Sequence, residues 1–179
     1  MARYFLVGCS KEKRFNRGNT AARAYRGHLF WLETTIIEWA RLVAEQQNQP
    51  IPSWSIVSAK YGLLAPTDEI EDYDLHIKQL KKPFRLKWAH QVAKDLFRVT
   101  GGRHKQVILF MGAAYANLLE PELLNLGYTV ERPLQGKSIG QQLQWCNREL
   151  NRLYALNFEL GKKQITQLQN DLDLREELA

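Results

Sequence analysis

Short apolar runs alternate along this chain with longer segments in which apolar residues return every three or four positions, which predicts strands separated by helices. Tyr4 to Gly8 reads as a buried strand, and the polar run Ser10 to Thr20 reads as a loop. Leu29, Leu32, Ile36, Ala40 and Val43 mark the apolar face of a helix that ends before residues 47–50. Ser55 to Ser58 predicts a second strand. Phe84, Trp88, Val92 and Leu96 recur at four-residue steps and predict a second amphipathic helix, closed by Gly101 and Gly102. Val107 to Met111 is continuously apolar, as a strand covered on both faces must be. A helix over 113–126 follows, with a break or fresh start expected at Pro121 and a stop at Gly127. Tyr128 to Glu131 makes a fourth strand. Ser138 and Gln141 have the spacing of a capping pair at the start of a long helix from Ile139.

This order predicts an α/β fold: a small, mostly parallel four-stranded sheet with helices on both faces. One domain over residues 1–160 is expected, followed by a helical tail over 161–179. In the tail Ile165, Leu168, Leu172 and Leu174 form a thin apolar stripe, which suits an appended helix, a partner-binding element or a frayed end. In such sheets ligands bind beyond the carboxyl ends of the strands, near a switch in strand order. Three predicted strand ends read Gly8-Cys9-Ser10-Lys11, Ser58-Ala59-Lys60-Tyr61 and Gly112-Ala113-Ala114-Tyr115. Small residues there admit close backbone approach. If the three ends meet, they build one pocket holding two lysines, two hydroxyls and an aromatic ring.

The net charge of +6 sharpens this picture once it is located. Arg3, Lys11, Lys13, Arg14, Arg17, Arg23 and Arg26 face only Glu12 within residues 1–27, so all the excess positive charge lies in the first strand and its loop. Such a local field suits phosphate or another anion, or else a solvated loop. A second basic run, Lys78 to Lys105, follows directly on an acidic segment and balances part of it. No apolar run approaches a membrane span, and the N-terminus lacks a signal-peptide pattern, so a cytoplasmic protein with no membrane partner is expected. Cys9 and Cys146 are too few for a disulfide framework, and the four histidines have no zinc spacing; neither a metal nor a cofactor is expected.

The segment WSIVSAKYGLLAPTDEIEDYDL, Trp54 to Leu75, runs from a buried strand into five carboxylates: Asp68, Glu69, Glu71, Asp72 and Asp74. Glu69 and Asp74 are candidate general bases, with burial against Tyr73 expected to tune either one. Lys11 and Lys60 stand at equivalent places after two strands and suit an anionic group; pairing with the acidic loop is the alternative. Cys9, at a strand end beside basic residues, is either an activated thiol or a small buried cysteine. Gly136-Lys137-Ser138 lacks the earlier glycine of a phosphate loop, since Glu131 stands in its place. Gly136, Ser138 and Gly140 instead predict a tight turn into a helix N-terminus whose amides can hold an anion.

LVGCSKEK and the Trp54–Leu75 segment resemble YaaA-type peroxide-stress proteins, whose core is similar to the uracil-DNA glycosylase type of α/β fold. The chain resembles still more closely a family of short uncharacterised bacterial and phage proteins. That match runs through Gly8-Cys9-Ser10-Lys11 with Lys13, Tyr25 with Leu29-Phe30, Ser58 to Leu64, Tyr73-Asp74-Leu75, and Pro133-Leu134 with Ile139-Gly140 and Gln142-Leu143. The resemblance to YaaA-type proteins implies oxidative-stress protection and DNA binding, and the resemblance to the closer family supplies no activity.

Two functions are therefore expected, with a third as an outlier. The first is an enzyme acting on a nucleic acid, nucleotide or modified base at an N-glycosidic bond. Its catalytic residues would be Asp74, Glu69 and Lys60, and its ligand would lie among Cys9, Ser10, Lys11, Lys13, Ser58, Tyr61, Gly62, Tyr73, Gly112, Tyr115, Gly136, Ser138, Gly140 and Gln142. The second is a non-catalytic DNA-binding protein of stress or defence that uses the basic loop. The third is an adaptor that docks through its tail.

Overall fold

The computed structural model describes residues 3–16, 18–103 and 106–177, with the backbone alone at 165 and 167–177. Arg17, His104 and Lys105 of the basic runs, and the tail side chains of Ile165, Leu168, Leu172 and Leu174, lie outside the described residues. Five strands, β1 (Arg3–Gly8), β2 (Ser53–Ser58), β3 (Gly62–Leu64), β4 (Gln106–Phe110) and β5 (Thr129–Glu131), pair in the order β3-β2-β1-β4-β5. All pairs are parallel except β2 with β3. The expected sheet thus gains a strand. Gly62 to Leu64 folds back on Ile56 to Ser58 as a hairpin, with Gly62, the first residue after the turn, at φ +72°. Three residues are too short for an alternating pattern to register, so this strand reads in the sequence as part of the loop.

The strands are apolar on both faces because both are covered. Phe5 and Val7 of β1, with Ile56, Ile108 and Phe110, pack on one face against α2 (His28–Gln46) and α5 (Ile139–Glu177); α1 (Ala21–Ala24) joins them. Tyr4, Leu6, Val57, Val107 and Leu109 pack on the other against α3 (Lys82–Thr100) and α4 (Ala113–Asn125). On α3 the buried stripe is Ala89, Val92, Ala93 and Leu96. Phe84, expected on that stripe, is 61% exposed in the first turn. The break expected at Pro121 does not occur, and α4 runs through it. Proline costs the helix the bond to the Asn117 carbonyl. Leu119 and Leu123, both fully buried, clamp the helix to the core on either side of the proline. At α5 the predicted capping pair forms, Ser138 N–H donating to Gln141 Oε1 at 2.8 Å and Gln141 N–H to Ser138 Oγ at 3.4 Å. The helix continues through Gly161 without interruption.

The connections position the site. The chain leaves β1, returns through α2 to β2 on one side, then crosses through α3 on the opposite face to β4 on the other side. Strand order therefore reverses between β1 and β4, where a crevice opens beyond their carboxyl ends. Gly8 sets the crevice width, since a Cβ there would lie 2.9 Å from the Met111 Cβ.

Candidate functional site

Behind the crevice stands a hydrogen-bonded hydroxyl chain built from three separate segments. Ser58, at the end of β2, is fully buried. Its Oγ accepts from the N–H groups of Lys60 at 3.1 Å and Tyr61 at 3.2 Å, which occupies both lone pairs. The Ser58 proton therefore goes to the Tyr73 hydroxyl at 2.7 Å, and Tyr73 in turn donates to the Tyr25 hydroxyl at 2.6 Å. Burial pushes the Tyr73 hydroxyl far above its ordinary value, with the nearby Cys9 thiol adding to the effect. It is a fixed neutral post in the wall of the site.

Lys13 is tied to the same post. Its Nζ donates to the Tyr73 carbonyl at 2.7 Å and the Lys11 carbonyl at 3.2 Å, and lies 4.0 Å from the centroid of the Tyr73 ring. An ammonium has three donors, so one is left for a ligand. Lys60 sits 4.9 Å from the Tyr61 ring centroid and 5.3 Å from that of Tyr73. The basic and acidic loops are laced through their backbones: Ala21 N–H to Asp68 O at 2.7 Å, Ala22 N–H to Pro66 O at 3.0 Å, and Ile70 N–H to Asn19 O at 2.9 Å. Among the described residues none of the five loop carboxylates forms an ion pair. The acidic loop is therefore held by backbone bonds and the buried Ile70, and its charges face solvent.

Two adjoining chambers occupy the crevice. The first, about 310 Å³, is lined by Cys9, Ser10, Lys11, Lys13, Tyr73, Asp74, Leu75, His76, Gln79 and Tyr115. The second, about 220 Å³, shares Cys9, Ser10, His76 and Tyr115, and adds Gly8, Leu29, Phe30, Glu33, Phe110, Met111, Gly112 and Ala114. The first is cationic and the second apolar. Tyr115 stands between them, its ring edge-on to His76 at 5.4 Å and to Trp88 at 5.5 Å, with its hydroxyl 3.8 Å from Cys9 Sγ. Burial, then the Cys9 thiol, raises the Tyr115 hydroxyl well above its ordinary value. Trp88 Nε1 donates to the Ser58 carbonyl at 2.9 Å, joining this wall to the hydroxyl chain.

Of the residues expected from the sequence, Cys9, Ser10, Lys11, Lys13, Tyr73, Asp74 and Tyr115 line the cationic chamber, and Gly112 lines the apolar one. Ser58, Tyr61 and Gly62 stand behind, Tyr61 edge-on to Tyr73 at 5.4 Å. Gly136 and Gln142 line a separate hollow of about 430 Å³ with Arg132 and Lys137. Lys60, Glu69, Ser138 and Gly140 line none of these cavities. Glu69 pairs its backbone with Thr20. Glu69 and Asp74 are both exposed, so the burial against Tyr73 expected of them is absent: backbone bonds hold the loop with its acids outward.

The buried carboxyl belongs instead to Glu33, 3% exposed on the core face of α2. Burial raises its pKa well above the usual carboxylate range. Its effect reaches Cys146 on α5, whose thiol is pushed up to about 12 by burial first and Glu33 second. The sequence carried a signal for Glu33, an acid wedged between Leu32 and Ile36 on an otherwise apolar stripe. His76 also lines both chambers. Its Nδ1 accepts from the Lys78 N–H at 3.1 Å, capping the short 3-10 turn Ile77–Gln79.

Outside the crevice, Glu12, Arg14, Asn16, Arg26, Gly27 and His28 line an open basic shelf of about 340 Å³. Among the described residues no group of three His, Cys, Asp or Glu is placed to hold a metal ion, and no helix is long and apolar enough to cross a membrane. The model of a family of unknown function, DUF6884, matches residues 4–148, which spans β1 through the first turns of α5 and includes both chambers. No curated protein and no solved structure matches the chain.

Proposed function

The chain belongs to this family of unknown function, and from that premise we propose that it is an enzyme acting on a nucleotide or nucleic acid at the N-glycosidic bond. The observation that carries the reading is the make-up of the cationic chamber. Two lysines, a carboxylate and an aromatic ring converge on about 310 Å³ at the switch in strand order, a volume within the range of small-ligand sites. Lys11 and the third donor of Lys13 bind phosphate, and Tyr115 supplies the ring against which a base packs. Asp74 activates water, whose hydroxyl goes to the sugar carbon while the departing base takes up a proton. Lys60 adds positive field at the rim. The resemblance of Gly8 to Lys11 and Ser58 to Leu64 to YaaA-type proteins with a uracil-DNA-glycosylase-like core supports the same reading, because these motifs line and back the chamber.

The test follows release of free base, by chromatography, from nucleosides, nucleoside monophosphates and DNA or RNA oligonucleotides. Asp74→Asn is expected to keep ligand affinity and lose turnover; Lys11→Glu is expected to weaken binding of phosphorylated substrates. The basic shelf favours one alternative, a non-catalytic DNA-binding protein of stress or defence. In that case no base is released, DNA affinity falls steeply with salt, and Arg14→Glu with Arg26→Glu abolishes binding that Asp74→Asn leaves intact.

A further inference from the structure

A buried polar group without a partner is rare in folded proteins, because its lost hydration is not replaced. The Glu33 carboxyl comes close to this state without being sealed off: the fully enclosed, unpartnered side-chain atoms among the described residues are Gln46 Oε1 and Arg85 Nε, whereas Glu33 keeps a trace of access where it lines the apolar chamber. The residue is 3% exposed, and among the described residues no ion pair or side-chain hydrogen bond is formed by its carboxyl. It lines the apolar chamber together with Phe30 and Phe110, and with Tyr115 and His76, which the cationic chamber shares. Among the described residues His76 is the one basic side chain lining this chamber, and no ion pair reaches Glu33.

We infer that Glu33 is a binding residue, the group that pairs with the hydrogen-bonding edge of a planar nitrogen heterocycle held between the aromatic rings of the apolar chamber. The inference rests on the nucleotide reading above: the heterocycle is the base of the nucleotide whose phosphate lies against Lys11 and Lys13. A carboxylic acid presents one donor and one acceptor side by side. That pair matches the adjacent donor and acceptor on the edge of a purine or pyrimidine, and the ligand supplies the partners that the fold withholds. Burial raises the Glu33 carboxyl pKa well above its ordinary value, which favours the protonated form that this pairing uses.

The experiment measures binding of uracil, cytosine, adenine and guanine, each alone, and of inorganic phosphate alone, by calorimetry. It uses the full chain and its Glu33→Gln and Glu33→Leu variants, with thermal unfolding as the check on folding. Glutamine keeps a donor and an acceptor, whereas leucine keeps neither. The expected result is a base that binds wild type and Glu33→Gln within a few-fold, and binds Glu33→Leu about 10–100-fold more weakly, with phosphate binding unchanged in all three. Equal base affinity in Glu33→Leu overturns the inference, as does loss of binding in a folded Glu33→Gln, which would mark an ionised carboxylate. Phosphate binding without binding of any base overturns it too, while leaving the cationic chamber's role standing. Binding of neither overturns the nucleotide reading itself.

Discussion

Replacing Glu33 with glutamine removes one titrating group from the core with almost no change of shape, and the consequence for stability can be worked out in sign and slope. In the folded chain burial holds the Glu33 carboxyl protonated well above 4.5, the value it takes when free of the fold. Below about pH 4.5 both states carry the proton, and Glu33 places no electrostatic load on folding. As pH rises past that value the unfolded chain ionises while the folded chain does not, so stability falls until the folded pKa is passed. The slope of that loss approaches about 1.4 kcal/mol per pH unit. Glutamine has no such loss.

Urea unfolding of wild type and Glu33→Gln, followed by tryptophan fluorescence at pH 5, 6, 7 and 8, measures the difference directly. The difference cancels the titrating groups that Glu33 does not influence; Cys146 on α5, which it does influence, has its thiol pushed up to about 12 and keeps its proton throughout this range. Glu33→Gln is expected to gain on wild type as pH rises from 5, by at most about 1.4 kcal/mol for each pH unit, with the gain levelling off once the folded pKa of Glu33 is passed. Parallel stability curves would refute the reasoning, because they would mean that Glu33 ionises alike in both states.

Two further outcomes test how the site is built. Tyr73→Phe removes the hydroxyl that links Ser58 to Tyr25 at 2.7 and 2.6 Å; the expected cost is about 1–3 kcal/mol in urea unfolding, with phosphate affinity retained because Lys13 holds the Tyr73 carbonyl and ring, not the hydroxyl. Gly8→Ala places a Cβ 2.9 Å from the Met111 Cβ and is expected to cost about 1–3 kcal/mol and to weaken ligand binding by parting β1 from β4, whereas Gly112→Ala, with nothing within 4 Å, is the near-neutral comparison by thermal unfolding.

What the sequence alone determined about this protein are the features written in local periodicity. The strands from Tyr4, Ser55, Val107 and Tyr128, the helices between them and the Ser138 cap are visible because each buries a repeating face. The alternation of strand and helix carries the parallel sheet with it. Strand ends rich in small residues also marked Cys9 to Lys13 and Tyr115 as one locality, since a doubly wound sheet brings its carboxyl ends together. The sequence did not reveal the three-residue β3 or the passage of α4 through Pro121, because tertiary pairing and clamping by Leu119 and Leu123 decide those. Nor could spacing separate Lys13, which turns into the crevice, from Lys60, which lies over two rings outside its lining. The tertiary structure also reversed the expected ranking of the acids. Five carboxylates crowded in one loop remain in water, where hydration satisfies them, while Glu33, alone on an apolar helix face, is carried into the core beside the chamber. Charge density along a chain reports where acids are; only packing decides which of them loses its water, and that loss is what makes Glu33 chemically distinct.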